Sequence, residues 1–289
     1  MSVSKEDGID FIGIGAQKTA SSWLWKLLKE HDDIWLPPIK ELHYFDRDTS
    51  YPSPSFLFSE SLRTRLHGQE PHNILFRDKL ISTMSQQLLS KDTQKIHWLN
   101  KFFFSEFSDE WYVSLFDEGK GKLRGEITPS YSIISQQDIH HIRTLFPELK
   151  IILVIRDPVE RAWSQARFYM KHNKLALDSS AQEIKAFLDS PAQESRSNYS
   201  EILNNWESVY PKEQIFIGFY GDILANSSSF IVKICDFLGV GSKKILQSNA
   251  LSKKVNTSPN LALPNEINEY LQSKYSEERE YLISRFGRL

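Results

Sequence analysis

Short apolar runs bounded by small or polar turns recur along the chain. Residues 9–15 (IDFIGIG) and 150–155 (KIILVI) are apolar over almost their full length, which is typical of strands buried on both faces of a parallel sheet. Residues 214–220 (QIFIGFY) repeat the pattern, and residues 123–128 form a shorter version of it. We therefore predict four buried strands at these positions.

A segment with helical periodicity follows the first of these runs. The spacing of Leu24, Leu27 and Leu28 gives one apolar helix face, and Ser21 or Ser22 is placed to cap its N-terminus. The pattern predicts a strand–loop–helix unit at the start of the chain.

The other two long runs begin units of the same kind. Asp157 is placed to cap a helix that extends to about Lys171. After the third run, the serines at 227–229 are placed to cap a helix over residues 230–238, which Gly239 closes.

The alternation of strands and helices determines the expected architecture. Parallel strands joined by helices need right-handed crossovers and are covered on both faces, so we predict an α/β fold with three layers, α/β/α, around a central parallel sheet. Residues 49–121 interrupt the alternation, and because they are too apolar to be disordered we predict a mostly helical insert. No internal repeat or linker divides the chain, which predicts a single domain over residues 1–289. The aromatic residues of the insert include Phe56, Phe58, Trp98, Phe102, Phe103, Phe104, Trp111 and Tyr112.

Composition and charge narrow the classes of function. Of the 289 residues, 40% are hydrophobic and 25% are charged, as in ordinary globular proteins. The 35 Lys and Arg residues stand against 37 Asp and Glu residues, so no overall positive field favours nucleic acid as a partner. The spacing of the histidines matches no metal-binding motif. The one cysteine, Cys235, lies in an apolar run, which indicates a buried thiol and a reducing compartment.

The beginning of the sequence bears on location. The first ten residues are polar and acidic where a signal peptide needs a basic start and an apolar core, and no apolar stretch reaches membrane-spanning length. We therefore expect a cytoplasmic protein without stable membrane insertion, and the sequence leaves its oligomeric state open.

The turn after the first strand combines small residues, one lysine and hydroxyl groups at the start of a helix. Residues 13–22 are GIGAQKTASS, and a helix N-terminus beside a lysine binds phosphate well. A Walker A loop needs glycine where this chain has Gln17 and Ile12, and a dinucleotide-binding loop needs its third glycine at Lys18. The turn thus indicates either a phosphate site of another type or an ordinary polar connection.

A second candidate site for an anion lies at the end of the strand at 150–155. Arg156 follows this strand directly, and Ser164 lies in the helix after it. Ligands of parallel sheets bind at the carboxyl ends of the strands, where an arginine can donate two hydrogen bonds to one phosphate. The alternative is that Arg156 only pairs with Asp157 or Glu160.

Together the two turns resemble the phosphate-binding motifs of sulfotransferases. Gln17-Lys18 with Ser21-Ser22 is similar to their 5′-phosphosulfate loop, and Arg156-Asp157-Pro158 with Arg161, Ala162 and Ser164 is similar to their 3′-phosphate motif. Three further segments match in order: residues 40–45 (KELHYF), residues 125–131 (GEITPSY) and residues 254–256 (KVN). The resemblance covers about residues 9–260 and is closest to the branch that includes heparan sulfate sulfotransferases and many bacterial relatives.

This resemblance implies a sulfuryl donor and the residues that bind it. The donor of the family is 3′-phosphoadenosine-5′-phosphosulfate (PAPS), the product is 3′,5′-adenosine diphosphate (PAP), and no metal is expected. Lys18 would stabilise charge on the departing phosphate, backbone amides around 20–23 would hold the 5′-phosphate, and Arg156 with Ser164 would hold the 3′-phosphate. The implied donor-binding residues are Gln17, Lys18, Thr19, Ala20, Ser21, Ser22, Trp23, Arg156, Ser164, Lys253 and Lys254. The last two lysines are alternatively ordinary loop charges.

A carboxylate that takes the proton of the acceptor is the remaining requirement of the resemblance. Glu41 occupies the position of the general base in the heparan sulfate branch, and His43 is the competing candidate. The alternative for this segment is a solvated Glu41 and a packed His43. Thr128 and Tyr131 are expected either at a strand end or facing the acceptor.

Two departures from the family pattern concern the loop and the acceptor. Ala20 stands where glycine is frequent, which is compatible with the loop only if its φ is negative. Ile127 replaces a lysine frequent in glycosaminoglycan enzymes, which argues against a strongly anionic polysaccharide. The aromatic insert, expected on the acceptor side, favours an apolar, phenolic or lipid-like acceptor, and small-molecule and carbohydrate acceptors stay open.

Two other classes of function remain. A P-loop-like kinase or nucleotide hydrolase would use ATP and magnesium at the same strand–loop–helix unit, although the Gly-Lys pair of that class is absent. A non-catalytic nucleotide-binding protein would keep the phosphate motifs and have no need of Glu41.

Overall fold

The computed structural model describes residues 8–90, 92–172, 174–251 and 261–289, with backbone alone at 88–90. Lys253 and Lys254, predicted to close over a nucleotide, lie outside the described residues, as does the segment 254–256.

Five parallel strands form the central sheet, in the order β2-β3-β1-β4-β5. The strands are β1 (Phe11–Gly15), β2 (Ile34–Trp35), β3 (Leu123–Ile127), β4 (Lys150–Ile155) and β5 (Ile215–Phe219). The four predicted strands are confirmed. The fifth, β2, is only two residues long and was missed because so short a strand leaves no periodicity to detect.

Helices connect the strands and cover the sheet. They are α1 (Ser21–Lys29), α2 (Leu62–His67), α3 (Pro71–Ser90), α4 (Thr93–Phe104), α5 (Asp109–Ser114), α6 (Gln136–Leu145), α7 (Pro158–Lys171), α8 (Ala181–Leu188), α9 (Pro191–Ser195), α10 (Tyr199–Glu207), α11 (Tyr220–Leu238), α12 (Lys243–Leu246), α13 (Asn265–Lys274) and α14 (Ser276–Phe286). Short 3₁₀ turns occupy Asp117–Gly119, Pro129–Ile133 and Lys212–Gln214. The predicted helical insert is therefore the run α2 to α5.

The side chains of β4 show how the layers form. Ile151, Leu153 and Ile155 pack into one apolar cluster, whereas Ile152 and Val154 pack into another. Because successive side chains of a strand point to opposite faces, these clusters lie on the two sides of the sheet. The α/β fold with three layers is confirmed.

The first cluster also contains most of the aromatic side chains of the insert. Trp98, Phe102, Phe103 and Tyr112 are at most 1% exposed and pack in the core, where each large apolar side chain contributes about 1.5–3 kcal/mol by burial. The aromatic residues of the insert are therefore mainly core residues, and they give no support to the apolar acceptor surface expected from the sequence.

The second cluster contains α1 and α11. Cys235 of α11 is fully buried there, and burial raises the pKa of its thiol to about 11. The thiol is therefore protonated and unreactive at neutral pH, as the sequence predicts.

Two predicted helix starts are wrong. Ser21 and Ser22 are the first residues of α1, and its N-cap is Ala20, whose side chain makes no capping hydrogen bond. Helix α11 begins at Tyr220, directly after β5, and is kinked at Asn226. Asn226 Oδ1 accepts a hydrogen bond from the Ser229 amide at 2.9 Å, so the asparagine replaces the predicted serine cap. Gly239, with φ of 83°, closes the helix as predicted.

Candidate functional site

A cleft of about 840 Å³ lies at the carboxyl ends of β1, β3, β4 and β5. Gln17 and Lys18 follow β1, Ser130 follows β3, Arg156 follows β4, and Tyr220 follows β5. The sheet thus brings together turns that are far apart in the sequence, as expected for a ligand site in a parallel α/β fold.

The turn between β1 and α1 is held by its own contacts. Thr19 Oγ1 donates to the Ala16 carbonyl at 2.7 Å, and Gln17 Nε2 donates to Ser130 Oγ at 3.2 Å. Thr19 is only 2% exposed and does not line the cleft. Of the predicted donor-binding residues, the Thr19 side chain therefore shapes the turn and is not available to a ligand, whereas Gln17 lines the cleft.

Ala20 adopts a left-handed backbone conformation, with φ of 67°. The sequence analysis required a negative φ here, and that expectation is wrong. A left-handed L-residue costs about 1–2 kcal/mol relative to the right-handed form. The conformation directs the Ala20 carbonyl to the amides of Trp23 and Leu24, at 2.9 and 3.0 Å. The Trp23 amide is therefore engaged within the turn, while the side chains of Ser21, Ser22 and Trp23 line the cleft.

Lys18 points its charge into a crowded part of the cleft. Its Nζ lies 3.9 Å from the centroid of the Phe168 ring, a cation–π contact. Burial, followed by the positive charges of Arg156, Arg161 and Arg167, lowers the pKa of Lys18 to about 8, and only the Glu41 carboxylate opposes this among the principal causes. Lys18 therefore stands among cations that an anionic ligand would neutralise.

Arg156 bridges the two predicted anion-binding turns. Its Nη1 donates to the Lys18 carbonyl at 3.0 Å, and its guanidinium lies 4.3 Å from the centroid of the Tyr220 ring. It also pairs with Glu160, 3.3 Å away, but 59% of the Glu160 side chain is exposed, so this pair is weak. Asp157 caps α7 and pairs with Arg279 at 3.0 Å, so it is not the partner of Arg156.

Two further residues of the predicted 3′-phosphate motif lie in α7, Ser164 at the cleft and Arg161 in the core. Ser164 lines the cleft at the first part of α7. Arg161 is fully buried, does not line the cleft, and donates from Nε to Ser197 Oγ at 2.6 Å. Arg161 thus anchors the segment before α10 beneath the site.

Glu41, His43 and Asp46 form an array at the side of the cleft, in which His43 lies between the two acidic side chains. His43 Nδ1 lies 2.9 Å from Asp46 Oδ2, and His43 Nε2 lies 3.7 Å from Glu41 Oε2. Lys40 pairs with the other oxygen of Glu41. Asp46 is fully buried; the sequence analysis missed its role, although its position three residues after His43 was a usable signal.

Contacts within the array set the protonation states of His43 and Glu41. Burial pushes the pKa of His43 down, but the Asp46 and Glu41 carboxylates outweigh it and raise this pKa to about 9. For Glu41, burial acts upward, and the contacts with His43 and Lys40 win, so its pKa falls to about 2. At neutral pH His43 is therefore an imidazolium and Glu41 is ionised.

Glu41 and His43 both line the cleft, and Glu41 is the most exposed member of the array. Its side chain is 39% exposed, against 5% for His43 and 0% for Asp46. Thr128 and Tyr131, expected either at the strand end or facing the acceptor, are fully buried and do not line the cleft. They brace the segment that carries Glu41 and His43.

The lining of the cleft varies in polarity. One part is formed by Trp23, Tyr220, Ile223, Leu224 and Leu251 and is largely apolar. Trp23 is fixed there, since its Nε1 donates to the Leu251 carbonyl at 3.3 Å.

Another part of the lining is polar and basic. It contains Tyr169, Lys174 and Arg196, and the insert contributes Pro52 and Pro54. Arg196 is only 5% exposed and donates to the carbonyls of Ala192 and Pro52. Sequence analysis missed Arg196 because nothing in its neighbourhood resembles a binding motif.

No helix in the described part of the chain is both long and apolar enough to cross a membrane.

Comparison with known proteins extends over most of the chain. The model of the sulfotransferase family matches residues 10–243. Carbohydrate sulfotransferase 15 of Mus musculus is 25% identical over 271 residues, which cover 84% of this chain and 46% of the mouse protein. The chain thus spans about half the length of the curated relatives it matches.

Solved structures share the fold. A sulfotransferase from Alicyclobacillus acidocaldarius matches with a TM-score of 0.63 at 19% identity, covering 97% of this chain and 96% of its own. The sulfotransferase domain from the curacin biosynthetic pathway matches with a TM-score of 0.59 at 19% identity, covering 98% of both chains. The likeness at these identities concerns the fold, and the family follows from the match over residues 10–243: the chain belongs to the sulfotransferase family.

Proposed function

We propose that residues 1–289 form a single sulfotransferase domain that moves the sulfuryl group of PAPS to a hydroxyl or amine of an acceptor. The observation that carries the proposal is the position of Lys18, Arg156 and Glu41 in one cleft. Two cations at the start of helices suit an anionic donor, and a carboxylate across from them suits the removal of a proton.

The cleft fits a nucleotide with phosphates at both ends of its sugar. Its volume of about 840 Å³ is within the range of ligand sites. Ser21, Ser22 and Lys18 would hold the 5′-phosphosulfate, and Arg156 with Ser164 would hold the 3′-phosphate. The apolar part around Trp23 provides a flat surface for the purine.

Lys18 supplies the charge that the departing phosphate needs. In the transfer, the acceptor oxygen or nitrogen forms a bond to sulfur while the bond from sulfur to the 5′-phosphate oxygen breaks. Negative charge accumulates on that oxygen, and a fixed ammonium stabilises it more than water does. Burial and the neighbouring arginines lower the pKa of Lys18 to about 8, so a dianion bound beside it would help Lys18 to retain its proton and would itself gain affinity.

Glu41 is the better candidate for the group that takes the acceptor proton. Its carboxylate is ionised and open to the cleft, whereas both ring nitrogens of His43 face carboxylates. The proton of the acceptor moves to Glu41, and the adjacent His43 imidazolium orients the carboxylate. Because the pKa of Glu41 is low, this proton moves late, once bond formation to sulfur has made the acceptor acidic.

The acceptor is polar in this proposal. Tyr169, Lys174 and Arg196 line the cleft. Because Arg196 already donates to two main-chain carbonyls, the Tyr169 hydroxyl and the Lys174 ammonium are the groups that suit hydroxyl-rich molecules. The similarity to carbohydrate sulfotransferase 15 supports a carbohydrate acceptor. The sequence favoured a lipid-like acceptor only through the aromatic residues of the insert, and these residues are mainly buried in the core. The cytoplasmic location stays a prediction.

Thermal unfolding with nucleotides tests the donor site. We expect PAP to raise the Tm of the wild type more than AMP or ATP with magnesium does, since a ligand at about 100 times its Kd adds about 2.7 kcal/mol. Arg156→Ala removes the extra effect of PAP over AMP. Arg143→Ala, whose arginine contacts Pro147 and Gln214 at the other edge of the sheet, keeps it. A larger shift with ATP and magnesium contradicts the proposal and favours the kinase alternative.

A further inference from the structure

Glu126, the fourth residue of β3, is a buried carboxylate outside the cleft. It is 1% exposed and is absent from the cleft lining. Among the described residues, the groups that act on its pKa are hydroxyls and an amide, and no cation is among them. Burial raises its pKa, and hydrogen bonds to the carboxylate oppose that rise. Burial of a carboxyl group costs free energy unless hydrogen bonds compensate for the loss of water.

Four donors surround this carboxylate. Tyr112 and Tyr131 donate their hydroxyls to Oε1 at 2.5 and 3.2 Å. Thr128 Oγ1 donates to Oε2 at 2.6 Å, and the Leu42 amide approaches the same oxygen at 3.4 Å. Each oxygen therefore has two hydrogen-bond partners, whereas an amide of the same shape would place an NH2 group, which cannot accept, against two of them.

Two of these donors also hold the segment that carries Glu41 and His43. Thr128 Oγ1 accepts the Leu42 amide at 3.0 Å, and the Tyr131 hydroxyl accepts the Tyr44 amide at 2.9 Å. Each hydroxyl has one proton, and the bond to Glu126 uses it. The carboxylate thus orients both hydroxyls so that their lone pairs face the backbone.

The segment needs such support because its backbone is strained. Glu41 has φ of 63° and His43 has φ of 56°, a conformation that costs about 1–2 kcal/mol for each L-residue. The amides that donate to Thr128 and Tyr131 belong to Leu42 and Tyr44, which alternate with Glu41 and His43 along the chain. The backbone is therefore fixed at every second residue, and the intervening side chains are presented to the cleft.

We propose that Glu126 is a positioning residue that fixes Glu41 and His43 through Thr128 and Tyr131. In this proposal, which rests on the proposed function, Glu126 touches neither donor nor acceptor. Its carboxylate sets the direction of two hydroxyls, these fix the backbone at residues 42 and 44, and the backbone places the proton-accepting carboxylate within reach of the acceptor.

Matched deletions of single buried hydroxyls test the proposal. Tyr131→Phe and Thr128→Val break the chain from Glu126 to the backbone. Tyr112→Phe removes a hydroxyl from the same carboxylate, but among the described residues that hydroxyl makes no hydrogen bond to residues 42–44, and the ring that stacks on Tyr44 is kept. Each variant is assayed for PAP release from PAPS with a sugar, a phenol and an aliphatic alcohol as acceptors. PAP binding and hydrogen exchange of the Leu42 and Tyr44 amides are measured in parallel.

We expect Tyr131→Phe, Thr128→Val and Glu126→Gln to lower kcat by about 10²-fold, the effect of a displacement of roughly 1 Å. PAP affinity stays unchanged, and exchange accelerates at the Tyr44 amide in Tyr131→Phe and at the Leu42 amide in Thr128→Val. Tyr112→Phe changes kcat by less than about threefold. In a Glu41→Gln background the same substitutions have little further effect, because they act through Glu41.

Equal losses of kcat in all three hydroxyl deletions, or additive losses in the Glu41→Gln background, overturn the positioning role. A wild-type protein that neither binds PAP nor releases it from PAPS contradicts the proposed function instead. The exchange rates then decide the positioning proposal by themselves: unchanged protection of Tyr44 in Tyr131→Phe overturns it, and selective loss supports it.

Discussion

Arg156 Nη1 donates a hydrogen bond of 3.0 Å to the main-chain oxygen of Lys18. The bond joins the turn after β4 to the turn after β1, at the point where Lys18 has a left-handed backbone with φ of 69°. Lys18 and Arg156 are 138 residues apart in the chain, yet they line the same cleft. A change at either residue is therefore expected to affect the whole site.

Replacement of Lys18 is expected to separate stability from activity. The pKa of Lys18 is lowered to about 8, first by burial and then by Arg156, Arg161 and Arg167, so keeping it protonated at pH 7 disfavours the folded state. Lys18→Met retains the aliphatic part and removes the charge. We expect the free energy of unfolding at pH 7 to rise by about 1 kcal/mol, and turnover to fall by roughly 10²–10³-fold.

Urea unfolding and PAP release from PAPS measure the two effects. Lys26→Met is the control, since Lys26 lies on the exposed face of α1 and its loss is expected to leave turnover unchanged. A wild-type turnover rate in Lys18→Met would rule out the role of Lys18 at the departing phosphate.

Substitutions in the array identify the proton acceptor. Glu41→Gln keeps the shape of the side chain and removes its basicity, so we expect kcat to fall by roughly 10²–10⁴-fold while PAP affinity is retained. His43→Gln is expected to lower kcat less, because His43 orients Glu41 at 3.7 Å and does not itself take the proton.

Initial rates at saturating PAPS and calorimetric titration with PAP separate turnover from binding. An inactive His43→Gln together with an active Glu41→Gln would assign the base to His43. Loss of PAP binding in Glu41→Gln would show that the carboxylate acts on the donor instead.

Sequence and structure agree where the pattern is local and continuous. The runs at 9–15 and 150–155 contain the strands β1 and β4, because buried parallel strands are apolar on both faces and this leaves an unbroken signal. The cap inside α11 was assigned to the wrong residue. Asn226 caps the second helical segment of α11, and the run of polar residues from 226 to 229 does not show which of them is the cap.

The residues of the candidate site likewise fall into those that a local sequence pattern indicates and those that it does not. Lys18, Arg156 and Ser164 could be found because each lies in a turn directly after a strand or in the helix that follows. Asp46 and Arg196 act through contacts that depend on the packing of distant segments, such as the bond from Arg196 to Pro52, 144 residues away. No pattern along the chain contains that information.

The stability of the protein is expected to depend on pH through His43. Its pKa is raised to about 9 from 6.5, because the Asp46 and Glu41 carboxylates outweigh the effect of burial. The folded state therefore holds a proton that the unfolded state releases between about pH 6.5 and 9. This contribution to stability is complete below pH 6.5 and is lost as pH rises through 9.

The difference between wild type and His43→Gln isolates this contribution from that of Lys18. We expect the wild type to lose about 3 kcal/mol more than the variant between pH 6 and pH 10, measured by urea unfolding. Identical pH profiles for the two proteins would show that His43 is not protonated in the folded state at neutral pH.

Relief of backbone strain at Ala20 is expected to stabilise the protein without loss of donor binding. Ala20 has φ of 67° and serves as the N-cap of α1, and glycine adopts this conformation without the clash of a Cβ. The gain exceeds the greater entropy of glycine in the unfolded chain, so Ala20→Gly should raise the free energy of unfolding by about 0.5 kcal/mol. Ala186→Gly, on the exposed side of α8, should lower it by about 1 kcal/mol. Both proteins are compared by urea unfolding with and without PAP. A destabilised Ala20→Gly that still binds PAP would mean that the Cβ of Ala20 packs favourably and that its left-handed backbone is not a source of strain.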